Sequence, residues 1–301
     1  MLLVAGGARL AERARKFALD ELFDSLLYQA MAERERDPTN KSILLEMAKQ
    51  ERMHYEFWKR LSGEVKLGPR EALRLRLFNL TFRLLGKVFT IKLLERHEGD
   101  VVAEYEEVLK SGALSEDDSR ILERIIEDER SHENALANQI EEFAVRHLGA
   151  IALGMSDAII ELSGVHAGFL GYTSSSIYTG IAGLIVGVSA SMSMAAAAYL
   201  QSKQERGKSP GSTAAVTGVM YMLTVVFLTA PFLLGLPIVS ALAASLLLAF
   251  LILAFFSFYS SVIMDRAFAR DYLENVGVIF LVVTIGYFFG ELVKSVTGLS
   301  L

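Results

Sequence analysis

The chain has 301 residues, a formal net charge of −5 and 52% hydrophobic residues. It contains no cysteine, which excludes disulfides, cysteine-bound zinc, iron–sulfur clusters and thiol catalysis, so a metal must be bound by carboxylate, imidazole, hydroxyl or thioether groups. The weakly acidic balance gives no indication of nucleic-acid binding. Glu, Arg and Lys are dense in residues 1–150, whereas only six charged residues lie between Ile151 and Met264. We therefore predict a soluble domain at residues 1–147 and a membrane domain at residues 148–301.

Helical periodicity predicts four helices in the soluble domain, at about residues 8–36, 40–61, 70–111 and 115–147. The breaks between these helices are turn signals, at Asp37-Pro38, residues 62–69 and Ser111-Gly112. Strand signals are few, so we expect an all-α domain.

A motif of glutamate, tyrosine and E-x-x-H occurs twice in this domain. Its two copies are Glu21, Tyr28, Glu51 and His54, and Glu98, Tyr105, Glu129 and His132. In both copies the tyrosine follows the first glutamate by seven residues, and the two glutamates are 30 and 31 residues apart. One E-x-x-H arises easily by chance, but a repeat in register across four helices favours a common function.

Di-iron carboxylate bundles take a Glu from each of two helices and an E-x-x-H from each of the other two. Residues three apart on a helix project from one face, so each E-x-x-H offers a carboxylate and an imidazole to one site. We predict that the six Glu and His residues of the repeat bind two iron ions, with manganese or zinc as substitutes. Glu95, three residues before Glu98, is an alternative ligand. The competing interpretation is a set of ordinary surface charges and capped histidines.

The soluble domain resembles the rubrerythrin branch of the ferritin-like superfamily over residues 10–147. That resemblance implies a four-helix bundle whose ligands are the same six residues, with Glu95 as the exchangeable one. Rubrerythrins also carry a cysteine-bound iron that delivers electrons. Because this chain has no cysteine, peroxidase turnover by that route is not expected.

Residues 70–94 interleave basic and large apolar residues. The basic ones are Arg70, Arg74, Arg76, Arg83, Lys87 and Lys92. A basic amphipathic helix can lie on an anionic membrane surface, and it can equally form a dimer face or a bundle face.

Five apolar stretches are each long enough to span a bilayer, at about residues 150–170, 176–200, 213–235, 237–263 and 275–298. The loops after the second and fourth stretches are basic, with Lys203, Arg206, Lys208, Arg266 and Arg270. Basic loops face the cytoplasm, which predicts a cell-membrane protein with a cytoplasmic N-terminal domain and an external C-terminus. The apolar run at the start of the chain is too short for a cleaved signal peptide.

The first span carries Asp157 and Glu161, which are four residues apart and lie on one face. Ionisable groups inside a membrane are costly, so they are candidates for an ion pathway. The alternative is a structural pair at a dimer seam. Met192 and Met194 of the second span add thioether sulfur, which favours later transition metals such as Fe²⁺.

The membrane domain resembles the vacuolar iron transporter family over residues 145–301. The resemblance rests on Asp157, on Ser193-Met194-Ala195 and on Tyr199, Ser202 and Glu205 at the end of the second span. It implies a homodimer that exchanges Fe²⁺, or Mn²⁺, for protons, with Asp157 and Met194 on the pathway. Two departures are Ala198, where the family has glutamate, and a short link at residues 204–212 in place of a metal-collecting insert.

The combination of both halves resembles the membrane-bound ferritin branch, which is associated with iron export. We expect a proton-coupled transporter that exports or sequesters cytoplasmic Fe²⁺, or Mn²⁺, and whose bundle collects, senses or oxidises the metal. Two alternatives stay open, a membrane-anchored ferroxidase or peroxide-responsive enzyme, and a Mn²⁺ transporter with the bundle as sensor.

Overall fold

The computed structural model of the chain describes residues 2–98, 101–131, 142–205, 207 and 209–298. Within these ranges, the side chains of residues 2–9, 95, 97–98 and 130–131 are not described. The described residues form helices and turns without a β-strand, which confirms the predicted all-α class. The chain divides into two compact units, Met1–Glu142 and Phe143–Leu301.

The first unit contains six described helices. They are α1 (Leu2–Arg34), α2 (Pro38–Ser62), α3 (Pro69–Leu85), α4 (Lys87–Glu98), α5 (Val101–Lys110) and α6 (Glu116–Ser131). The turn into α2 follows from local chemistry, because Asp37 accepts a hydrogen bond of 2.8 Å from the backbone N–H of Asn40 and Pro38 occupies the first helical position. The end of the predicted fourth helix falls on residues 132–141, which lie outside the described residues.

The prediction of one continuous helix over residues 70–111 is wrong, because the helix is broken at Gly86. This glycine has φ +92°, a conformation that L side chains rarely adopt, and a Cβ there would lie 1.6 Å from Glu142 Oε1. The carboxylate of Glu142 accepts a hydrogen bond of 2.9 Å from the backbone N–H of Val88. Glu142 therefore satisfies a free N–H group at the start of α4 from the space that Gly86 leaves open.

The core of the first unit is aromatic near its centre. Phe17 of α1, Trp58 of α2 and Tyr105 of α5 have ring centroids 4.8–4.9 Å apart. Leu122 and Ile125 of α6 belong to the same buried cluster. Burial of each such side chain stabilises the fold by about 1.5–3 kcal/mol, so this cluster fixes how α1, α2, α5 and α6 meet.

The second unit contains a short helix and five long ones. They are α7 (Phe143–Arg146), α8 (Leu148–Tyr172), α9 (Ser176–Ser202), α10 (Pro210–Leu233), α11 (Ile238–Ile263) and α12 (Phe268–Thr297). The five long helices are long and apolar enough to cross a membrane, which confirms five helices of the predicted length and composition. Helix α12 begins seven residues earlier than predicted, because its charged first turns are helical although they are not apolar. Arg270 and Glu274 form an ion pair of 3.0 Å there.

Glycines bring the backbones of α8 and α12 into direct contact. A Cβ on Gly286 would lie 2.5 Å from the carbonyl oxygen of Gly164, and one on Gly290 would lie 1.9 Å from that of Gly168. In lipid, where hydrophobic burial does not drive helices together, such close approach is a main source of helix association. The first and fifth spans are therefore packed along two G-x-x-x-G pairs.

Candidate metal centre

Four of the predicted bundle ligands lie together in the core of the first unit. They are Glu21 of α1, Glu51 and His54 of α2, and Glu129 of α6. Each offers a ligand atom, and these atoms all lie within 4.8 Å of one another. Glu21, Glu51 and His54 are only 4–6% exposed, so the cluster is inside the bundle and not on its surface.

The geometry around His54 fits a bound cation. Its Nδ1 atom is 3.0 Å from Glu129 Oε1 and 3.6 Å from a carboxylate oxygen of both Glu21 and Glu51. Neither ring nitrogen has a well-directed hydrogen bond, although both are buried. Buried polar atoms are normally satisfied, and three carboxylates facing one imidazole nitrogen are a donor set suited to iron, manganese or zinc.

The carboxylates of the cluster repel one another when no cation lies between them. Burial raises the pKa of Glu51 to about 8, with His54 opposing this shift and the Glu21 carboxylate adding to it. Burial also raises the pKa of Glu129. Burial lowers the pKa of His54, but the facing Glu129 and Glu21 carboxylates outweigh this and raise it far above its usual range. The cluster therefore needs positive charge, which protons or a divalent cation can supply.

Two further residues lie against the cluster. The Tyr105 hydroxyl donates a hydrogen bond to Glu21, and burial raises the pKa of Tyr105 well above its usual value. Asp128 Oδ2 lies 3.9 Å from His54 Nε2, the ring nitrogen that the other three carboxylates do not approach. The repeat motif includes Tyr105 without indicating its partner, and Asp128 was not predicted. A hydrogen bond such as that from Tyr105 orients a group that can bind a metal.

The second copy of the motif is only partly visible. Glu95 and Glu98 lie on α4, but their side chains are not described. His132 lies outside the described residues. Their part in a two-metal site stays a prediction.

In the membrane unit, Asp157 and Glu161 lie half-buried on α8. Tyr221 of α10 is fully buried and donates a hydrogen bond to Glu161. Sequence reasoning missed Tyr221, because it stands in an apolar segment with no motif around it. The hydrogen bond stabilises a carboxylate that would otherwise be costly to place within a span.

The other predicted pathway residues lie on α9 or just after it. Met194 packs against the apolar cluster that includes Ala158 and Tyr221, whereas the Met192 residue is 69% exposed. Glu205 accepts a hydrogen bond of 3.2 Å from Gln201. Of the two methionines, only Met194 packs against the cluster to which the helix of the acidic pair contributes.

A polar cavity of about 420 Å³ lies between α8, α11 and α12. Its polar lining consists of Ser156, Ser257, Ser260, Arg266, Asp271, Glu274 and Asn275. Ser156 directly precedes Asp157 in the sequence. The cavity thus reaches the residue before Asp157, but neither Asp157 nor Glu161 lines it.

Comparison with known proteins gives one family match, which lies within the first unit. Residues 19–140 match the sequence model of the family described as Rubrerythrin. The match contains all seven predicted bundle ligands, so the first unit carries a rubrerythrin-like domain of the ferritin-like type. No curated protein and no solved structure matches the chain.

Proposed function

We propose that this chain, a rubrerythrin-like domain followed by five candidate membrane spans, is a proton-coupled transporter that exports Fe²⁺ from the cytoplasm. The observation that carries the proposal is the presence in one polypeptide of a buried carboxylate–histidine cluster and an acidic pair on a span. An iron-binding domain is useful beside a membrane pathway because it can collect the cargo or sense its concentration. Mn²⁺ is the alternative cargo, because oxygen and imidazole ligands bind both ions.

In the bundle, Glu21, Glu51, His54 and Glu129 would hold the metal. Tyr105 keeps one oxygen of Glu21 occupied by a hydrogen bond, which leaves the other oxygen directed to the ion. Iron bound there would supply redox chemistry toward O₂ or peroxide. The buried Phe17, Trp58 and Tyr105 rings exclude water from one side of the cluster.

In the membrane unit, Asp157 and Glu161 would bind Fe²⁺ as it passes. Two carboxylates neutralise a divalent cation, so the loaded site carries no net charge and its cost within the bilayer falls. Protons arriving from outside would neutralise the same two groups and release the metal there. The donated hydrogen bond from Tyr221 holds Glu161 in one orientation in both states.

We also propose the topology and assembly that this cycle needs. The basic loops after the second and fourth spans favour a cytoplasmic bundle in the cell membrane. The resemblance of the membrane unit to vacuolar iron transporters favours a homodimer with its pathway between subunits. Both statements rest on the sequence pattern.

Reconstituted flux tests the proposal. Purified chain in proteoliposomes should move Fe²⁺ in one direction and protons in the other. Asp157→Asn should reduce both fluxes at least tenfold, because the loss of an ion interaction of about 1.4 kcal/mol lowers an equilibrium constant tenfold. Glu291→Gln on α12 is the matched control, because it also replaces a carboxylate by an amide but on another span. Iron flux that ignores the pH gradient would contradict antiport. Cellular iron tolerance that survives Asp157→Asn but not Glu51→Ala would instead indicate a membrane-anchored di-iron enzyme.

A further inference from the structure

Helix α3 presents a row of uncovered leucines. Leu73, Leu77, Leu80 and Leu84 are 57%, 54%, 49% and 72% exposed, and no residue of α3 is buried. At about 100° per residue, these four positions fall within roughly 60° of the helix circumference. A regular apolar row on the surface of such a unit marks a site that contacts a membrane or another molecule.

Arginines line both sides of this row. Arg70 lies on one side, and Arg76 and Arg83 lie on the other, by the same helical geometry. All three are exposed, and none forms a hydrogen bond or ion pair with a described residue. Helix α3 carries four arginines and a single glutamate, so its outer face is strongly basic.

The bundle uses a different face of α3. Arg74 lies over the rings of Phe23 and Phe78, 4.6 Å and 5.5 Å from their centroids, and these two rings pack edge to face. Arg34 of α1 donates a hydrogen bond to Asn79. The contacts with α1 thus fix the helix and turn the leucine row away from the bundle.

We propose that the leucine–arginine face of α3 docks on the anionic surface of the bilayer in which the second unit is embedded. Leucines would enter the boundary between headgroups and acyl chains, and the flanking arginines would lie among lipid phosphates. A second copy of the chain is the poorer occupant, because it would bring a second set of arginines against the first. The spans hold α3 at a high effective concentration near the membrane, so even weak docking is populated. This inference does not depend on transport.

The absence of cysteine gives a direct test in the full chain. Leu84→Cys, labelled with an environment-sensitive fluorophore, is compared in nanodiscs of phosphatidylcholine alone and of phosphatidylcholine with phosphatidylglycerol. Anionic discs should shift the emission to the blue and allow quenching by spin-labelled lipid. Met53→Cys on α2, at a residue that is 53% exposed, is the matched label position and should respond to neither.

Arginine variants test the charge. Replacing Arg70, Arg76 and Arg83 by glutamine should lower the equilibrium constant for docking about fivefold for each arginine. Added salt should also weaken docking. Lys41→Gln with Lys66→Gln removes exposed charge elsewhere in the unit and should leave the signal unchanged. Unchanged Trp58 emission shows that each variant is folded.

Two results would overturn the inference. One is a Leu84 label that does not distinguish anionic from neutral discs. The other is energy transfer between labelled copies that is independent of lipid charge, which would assign the leucine row to a contact between two chains.

Discussion

Three carboxylates face one ring nitrogen of His54, and this arrangement determines how the bundle responds to pH and to metal. The raised pKa values of Glu51 and Glu129 have the same cause, which is burial of carboxylates whose charge is only partly balanced by one imidazole. Without metal, the bundle therefore holds charges that destabilise it. The gain on binding a divalent cation includes relief of this repulsion.

Glu51→Gln should stabilise the metal-free protein and weaken metal binding. A carboxyl whose pKa is raised in the folded state costs nothing below its unfolded pKa, and the cost grows as pH rises toward the folded value of about 8. Metal-free wild type should thus lose about 3 kcal/mol more than the variant between about pH 5 and pH 8. Trp58, the only tryptophan and a neighbour of Tyr105 in the core, reports unfolding of the first unit in the full chain with chelator present. Equal pH dependence in both proteins would contradict this account.

Much of the candidate site was predictable at the residue scale, and the limits have physical reasons. The repeated motif grouped Glu21, Glu51, His54 and Glu129 with Glu98 and His132, because di-iron bundles take a Glu from two helices and an E-x-x-H from the other two. The hydrogen bond from Tyr221 to Glu161 could not be predicted, since it joins two spans and leaves no local pattern. That any of these residues binds metal stays a prediction.

At the scale of helices, the sequence predicts where helices occur better than where a helix is interrupted. Both ends of α2 and of the first four spans lie within three residues of the predicted positions, whereas the fifth span begins seven residues earlier than predicted. The break at Gly86 was missed because a lone glycine is tolerated within a helix. What breaks the helix is Glu142, 56 residues later, whose carboxylate occupies the space over Gly86.

Gly290→Ala should destabilise the membrane unit, because the new methyl group would meet the carbonyl oxygen of Gly168. Overpacking of this kind costs about 1–3 kcal/mol. Gly277→Ala on the same helix is the control, since a Cβ there meets nothing within 4 Å. Thermal stability in detergent, followed by size-exclusion chromatography, should fall for the first variant only. Equal stability of the two variants would show that α8 and α12 can separate without cost.

At the scale of the whole molecule, two units of different solvent preference share one chain. The first unit supplies a buried cluster of carboxylates and imidazole, and the second supplies five candidate spans with an acidic pair. Composition predicted this division, because only six charged residues lie between Ile151 and Met264. The two units serve a common function only if metal bound by one unit affects the other.

If the bundle collects cargo, a variant without the cluster should fail only when iron is scarce. Glu51→Gln with His54→Gln should lower Fe²⁺ flux severalfold at low Fe²⁺ and leave the maximal rate of the membrane pathway unchanged. Glu56→Gln, an exposed change on the same helix, should alter neither. Flux measured across a range of Fe²⁺ concentrations separates the two effects. A loss of maximal rate would show that the cluster is needed in every transport cycle.

The glycine contacts between α8 and α12 can form only at the end of biosynthesis. The first span leaves the ribosome with its glycine row complete, but the helix that covers this row is the fifth span to be made. During translation α8 must therefore wait in the insertion machinery or in lipid with its carbonyl groups uncovered and with Asp157 and Glu161 already in place. A chain interrupted before α12 would retain an exposed polar backbone groove, the kind of defect by which quality control distinguishes unfinished membrane proteins from finished ones.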